Sequence, residues 1–152
     1  MNRAEVVQRN QVLRAFFEGK GWDANDEFKL KRALVLGSGK LLPAYPFLVD
    51  DEWEVVPGKT NLGRGDLVFA DGEGRFAVVE VKFIDLGRSG STVRAKRTES
   101  RKKVVEQARD YASKLAALLG PDVTVEACWY TNEEPEAVHH DTLGCEGSFV
   151  AD

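Results

Sequence analysis

The stretch GRGDLVFADGEGRFAVVEVKF, residues 63–83, decides how this chain reads. GDLVFA (65–70) and RFAVVEVKFI (75–84) have the composition of strands. DGEG (71–74) between them supplies glycines for a tight turn with positive φ, so the three segments predict a hairpin. The apolar run through Val78, Val79 and Val81 predicts a central strand covered on both faces. Asp66 opens the first strand, and Glu80 and Lys82 flank Val81 near the end of the second. Side chains alternate along a strand, so Glu80 and Lys82 share a face, and the hairpin can bring Asp66 beside Glu80.

Two carboxylates brought together repel unless a cation joins them. Asp66 and Glu80, with the backbone carbonyl of Val81 as a further ligand, form a hard oxygen set. With no histidine or cysteine nearby in sequence, the set favours Mg²⁺, with Mn²⁺ as a substitute, over zinc. Such an ion polarises a phosphate and lowers the pKa of a bound water. Lys82 would orient that water or stabilise charge on the phosphate oxygens. The Glu80–Lys82 pair interrupts an apolar strand, and a buried acid beside a lysine needs a specific reason. The arrangement points to metal-dependent hydrolysis of nucleic-acid phosphodiesters.

Outward from the hairpin, residues 3–18 read as a helix, on the spacing of Val6, Val7, Leu13, Phe16 and Phe17 with Asn10 interrupting. Residues 22–36 read either as a strand or as a short helix. GSGKLLPAYPF (37–47) reads as loop, punctuated by Gly37, Gly39, Pro43 and Pro46. A strand is expected from Glu52, closed by Pro57 and Gly58. After the hairpin, a flexible basic stretch leads into a helix over 100–119, with Val104, Ala108, Tyr111, Leu115 and Leu118 on one face. VTVEACWYT (123–131) is a strand, with Val123, Val125, Ala127 and Trp129 on a core face. Beyond it the chain reads as irregular or as a short strand, GSFVA. The order helix, strand, strand, strand, helix, strand predicts an α/β fold with a mixed sheet of four to five strands flanked by helices.

The length of 152 residues suits a single domain, with residues 132–152 as a candidate peripheral tail. Nothing approaches the roughly 18 apolar residues of a membrane span, and the first residues lack a signal-peptide pattern. The two cysteines, Cys128 and Cys145, make no CxxC pair, which excludes a zinc ribbon or a thioredoxin-type site and fits an intracellular protein. The net charge of −4 hides an asymmetry. Residues 82–103 hold eight cations against Asp85 and Glu99, a local +6 that leaves −10 elsewhere. A basic patch on an acidic body suits a partner that meets one face.

GD at 65–66 followed by EVK at 80–82 resembles the PD-(D/E)XK nuclease superfamily, the fold of restriction endonucleases, Holliday-junction resolvases and RecB-type exonucleases. Gly65 stands where the family's proline is familiar. QARDY (107–111) resembles the QxxxY element of the RecB-like branch. By that resemblance Gln107 would face the active site and contact the metal-bound water or a phosphate, with Tyr111 supporting it. Glu5 on the first helix would be the further metal ligand that many members carry. The resemblance also implies a helix, three antiparallel strands, a helix and a fourth strand beside the first part of the sheet, and a Mg²⁺-dependent deoxyribonuclease.

Arg94, Lys96, Arg97, Arg101, Lys102 and Lys103 would grip the DNA backbone without reading sequence. Arg64 either touches phosphate or forms an ion pair. The small size leaves no room for an elaborate recognition domain. Cleavage is therefore expected to be structure-directed or weakly sequence-specific, or directed by a protein partner, and a homodimer or higher homo-oligomer would bring two sites to two strands. A non-catalytic module binding nucleic acid or protein is the alternative. GSGK (37–40) lacks the form of a phosphate-binding loop. His139 and His140 read as part of a solvated acidic tail, and Trp22, Trp53 and Trp129 as core or subunit-contact residues.

Overall fold

A computed structural model of the chain describes residues 1–87 and 90–141. Arg88, Cys145 and the GSFVA segment lie outside these residues. The elements run α1 (Arg3–Gly19), α2 (Asp26–Leu36), α3 (Ser38–Leu41), β1 (Phe47–Glu54), a 3-10 turn (Thr60–Leu62), β2 (Arg64–Ala70), β3 (Arg75–Lys82), α4 (Ser91–Leu119), β4 (Thr124–Thr131) and β5 (His139–His140). The strands form one mixed sheet in the order β1-β2-β3-β4-β5. β1, β2 and β3 meander antiparallel, β4 joins β3 in parallel through the α4 crossover, and β5 returns antiparallel to β4. The fold class expected from the sequence is the one observed. β4 lies beside β3 rather than beside the first strands.

Alternation along the strands sorts the apolar residues into two layers. Leu67, Phe69, Val79 and Cys128 face α2 through Leu34 and Val35. Val68, Val78 and Ala127 face α4 through Ala108, Tyr111 and Leu115. Glu80 lies two residues from Val78 and so faces α4, whereas Val81 faces α2.

Several boundaries differ from the sequence reading. Residues 26–36 are helical because Asn25 caps them, its side chain accepting from the Phe28 N–H at 2.9 Å, with Asp26 and Glu27 in the first turn. Arg14 reaches from α1 to the Val35 carbonyl, the Ser38 hydroxyl and the Pro46 carbonyl, which fixes residues 37–46 and their single helical turn. The interrupting Asn10 is a docking residue: its side-chain oxygen accepts from the Leu48 N–H at 2.8 Å and starts β1 five residues earlier than expected. On α4, Leu118 is 49% exposed, and Ala112 takes its place in the buried layer.

The largest correction concerns the basic stretch. Helix α4 begins at Ser91, not near residue 100, so Arg94, Lys96 and Arg97 belong to a helix. No residue from Thr92 to Lys103 is buried, and Val104 is the first that is. Thirteen residues at 1.5 Å each make a basic helical arm of about 20 Å before α4 meets the sheet.

Candidate active site

The β2–β3 ladder pairs Ala70 with Phe76 and ends where Leu67 pairs with Val79. One step further the register sets Asp66 opposite Glu80. There the strands exchange side-chain bonds in place of backbone bonds. The Asp66 N–H donates to Glu80 Oε2 at 2.9 Å, and the Val81 N–H donates to Asp66 Oδ2 at 2.8 Å. The hairpin therefore opens as a fork with both acids at its crotch.

Two aromatic rings shape the approach to the fork. Glu52 adopts a left-handed φ of 50° within β1, and beyond it Trp53 packs on the α4 side. Its indole covers Gly65, where a Cβ would lie 2.1 Å from Trp53 Nε1. A proline at 65 would place an atom at the same point, which accounts for glycine there. Tyr111 lies edge-on to Trp53, with ring centroids 6.0 Å apart, and its hydroxyl covers Gly63, whose φ is 119°. Beyond Lys82, the Asn132 side chain bonds both backbone groups of Ile84, which ties the exit of β3 to the end of β4.

Electrostatics at the fork are unfavourable to two anions. Burial pushes Glu80, 2% exposed, up to about 9, and the charge of Asp66 adds to the shift. Burial pushes Asp66 up to about 6, opposed by the Val81 N–H hydrogen bond. From α2, Glu27 raises both groups and the Lys31 ammonium lowers both. Lys31 is itself buried in an ion pair with Asp51. At neutral pH the fork thus favours holding a proton between the two acids. A hard divalent cation can replace that proton, and the oxygens of Asp66, Glu80 and Val81 are the donor type it requires.

The fork opens into a cleft of about 660 Å³ between the strand ends and α4. Arg64, Asp66, Glu80, Val81, Lys82, Lys103 and Gln107 all line it. Gln107 donates through Nε2 to the Tyr111 hydroxyl at 2.9 Å, which holds the amide at the cleft wall. Arg94, Lys96 and Lys102 are exposed on the same helix and do not line the cleft. Arg97 bonds the Asp85 carbonyl at 2.8 Å, and Arg101 makes a two-pronged bond to Glu133 at 2.7 and 2.5 Å. Glu5 is exposed at the start of α1, its N–H bonded to the Asn2 cap, and does not reach the cleft. The helical acid that does reach it is Glu27, and Glu106 and Asp110 of α4 join it. Sequence reasoning misses Glu27 and Lys31 because residues 22–36 fit a strand and a helix equally by pattern. The Asn-Asp-Glu run at 25–27, a helix-start signature, carried the signal.

A second cluster occupies the other face of the sheet. Glu126 and Cys128 alternate on β4 with Tyr130, and His140 pairs with Cys128 across the β4–β5 ladder. One ligand atom from each lies within 4.8 Å of the others, a set that could coordinate a metal and is of the type zinc prefers. The expectation of a solvated tail at His139 and His140 is overturned here. His140 bonds Glu126 at 2.6 Å, His139 stacks on Trp129, and Val138 and Asp141 are buried.

Comparison of the chain with protein-family models, curated proteins and solved structures finds no match. Among the described residues, no helix is long and apolar enough to cross a membrane.

Proposed function

We propose that the chain is a Mg²⁺-dependent deoxyribonuclease of the PD-(D/E)XK type, structure-directed or weakly sequence-specific, working as one nuclease-like unit. One observation carries this reading. Asp66 and Glu80 meet at an open strand fork whose burial disfavours their charges, with Lys82 beside them in a cleft that Lys103 of the basic helical arm also lines.

Asp66, Glu80 and the Val81 carbonyl would hold the ion, which supplies Lewis acidity to the scissile phosphate and its attacking water. Lys82 contributes a positive charge on the same strand face as Glu80, positioned to orient the water or to stabilise the phosphate oxygens. Gln107, its amide fixed by Tyr111, presents its remaining amide atoms to a phosphate or water in the cleft. Arg64 and Lys103 at the cleft, with Arg94, Lys96, Arg97, Arg101 and Lys102 along the arm, would engage backbone phosphates to either side. The reaction adds one water across one P–O bond.

The test is cleavage of labelled linear, nicked, single-stranded and four-way DNA with Mg²⁺ and then Mn²⁺, comparing wild type with Lys82→Ala. Metal-dependent cutting that falls on the order of a hundredfold or more in the variant supports the reading, and the preferred substrate names the branch. Folded, pure protein that binds these DNAs but cuts none would transfer the assignment to a binding module.

A further inference from the structure

We propose that Glu126, Cys128 and His140 form a second metal site, for a zinc-class divalent ion, on the face of the sheet opposite Asp66 and Glu80. The inference stands independently of the nuclease reading. The backbone assembles the site from a short piece of chain. Glu126 and Cys128 are two residues apart on β4 and so share a face, and the β5 pairing brings His140 directly across from Cys128.

The contacts converge on one atom. Cys128 Sγ lies 3.4 Å from His140 Nδ1, and Glu126 Oε1 lies 2.6 Å from the same Nδ1. A thiol–imidazole–carboxylate relay of the catalytic kind uses the two ring nitrogens, one toward each partner. Here thiol and carboxylate crowd a single nitrogen, as ligands do around an ion. Cys128 is also fully buried, which excludes it as a nucleophile toward a substrate.

The surroundings support coordination. Glu126 Oε2 accepts from the Tyr45 hydroxyl at 2.5 Å, and Arg75 donates to the same hydroxyl at 3.4 Å. That anchor leaves Oε1 turned toward Cys128 and His140, the outer-sphere support that ligating carboxylates commonly have. A thiolate and an imidazole select zinc over magnesium. Zinc bonds of about 2.0–2.3 Å in a tetrahedron separate ligand atoms by roughly 3.3–3.7 Å. The sulfur–nitrogen separation already meets this. The nitrogen–oxygen separation must open by less than ~1 Å. His140 sits on a two-residue strand with its side chain 40% exposed, so it can supply that movement. With three protein ligands, the fourth position goes to solvent. The bound ion would fasten β5 to β4.

The test is a Co²⁺ and Zn²⁺ titration of the full chain carrying Cys145→Ser, so that Cys128 is its one thiol. We expect one thiolate-bound ion per chain, besides any ion held by Asp66 and Glu80, seen as a thiolate-to-cobalt charge-transfer band that Zn²⁺ abolishes and excess Mg²⁺ does not, and a Zn²⁺-dependent rise in Tm reversed by chelator. Cys128→Ser removes the band. Because Cys128 is buried and its replacement can disturb the core, His140→Ala is the second variant. It should weaken Zn²⁺ binding by at least ~100-fold, the upper end of what outer-sphere partners alone contribute. Glu80→Gln should leave the band unchanged. Absence of the band in folded protein, equal Zn²⁺ affinity in wild type and His140→Ala, or loss of the band in Glu80→Gln would each overturn the proposal.

Discussion

Binding of Mg²⁺ at the strand fork should release a countable proton. Glu80 is pushed up to about 9 and Asp66 up to about 6 by burial. At pH 7 the coupled pair therefore shares about one proton. An ion that needs both carboxylates charged expels about that one proton at pH 7 and fewer at pH 9. Affinity should climb about tenfold from pH 7 to pH 8 and level off above pH 9. Calorimetric titration at pH 7 in two buffers of different ionisation enthalpy reads the proton number directly. Magnesium confines the measurement to the oxygen site, because it avoids thiolate ligands. In Glu80→Gln the release should fall well below one proton, with affinity greatly weakened. Tight Mg²⁺ binding by the wild type with no proton transferred to buffer would refute the reasoning, because the fork would then already be charged.

The same shifts set a pH dependence of metal-free stability. A carboxyl whose folded value is raised contributes stability that is full below its unfolded value of about 4.3 and is lost as pH rises through the folded value. The Tm in chelator should therefore decline from pH 5 to pH 9, and Glu80→Gln should flatten the decline and melt higher at pH 9. Gly65→Ala should lower stability by about 1–3 kcal/mol in urea unfolding, because the new methyl drives into the Trp53 indole and the ring has to move. Lys31→Ala should cost about 3–5 kcal/mol, since it leaves Asp51 charged and buried, and pairing it with Asp51→Asn should recover part of the loss in the same assay.

The hairpin was legible because two local signals agree there: a turn that demands glycine, and strands whose apolar pattern breaks, apart from Arg75 at the turn, only at Asp66, Glu80 and Lys82. Its register then follows from the turn, and so does the meeting of the two acids. Where local signals conflict, tertiary contacts decided. EFKLKRALVL fits a strand or a helix by pattern, and only the Asn25 cap and the burial of Leu30, Leu34 and Val35 select the helix. Asn10 looks like a flaw in an apolar stripe until β1 is seen to dock on it. Residues 91–99 read as loop from their charge and polarity, yet the backbone continues a helix that packs further along. The Glu126–Cys128–His140 group lay beyond reach for a different reason. It joins side chains that only the folded sheet brings together, and His140 reads as part of an acidic tail because the β5 pairing is two residues long.

The basic arm has a thermodynamic consequence of its own. Arg94, Arg97 and Arg101 recur at three- and four-residue intervals along one side of a helix, so like charges stack without a supporting core beneath them. Tethers at Asp85 and Glu133 and the exposed Lys103–Glu99 pair at 3.6 Å offset little of that repulsion. Amide hydrogens of 92–103 should exchange with solvent orders of magnitude faster than those beyond Val104, because opening there exposes no buried surface. A polyanion laid along the arm would neutralise the stacked charge and slow that exchange, so the arm would stiffen in proportion to the phosphates it meets.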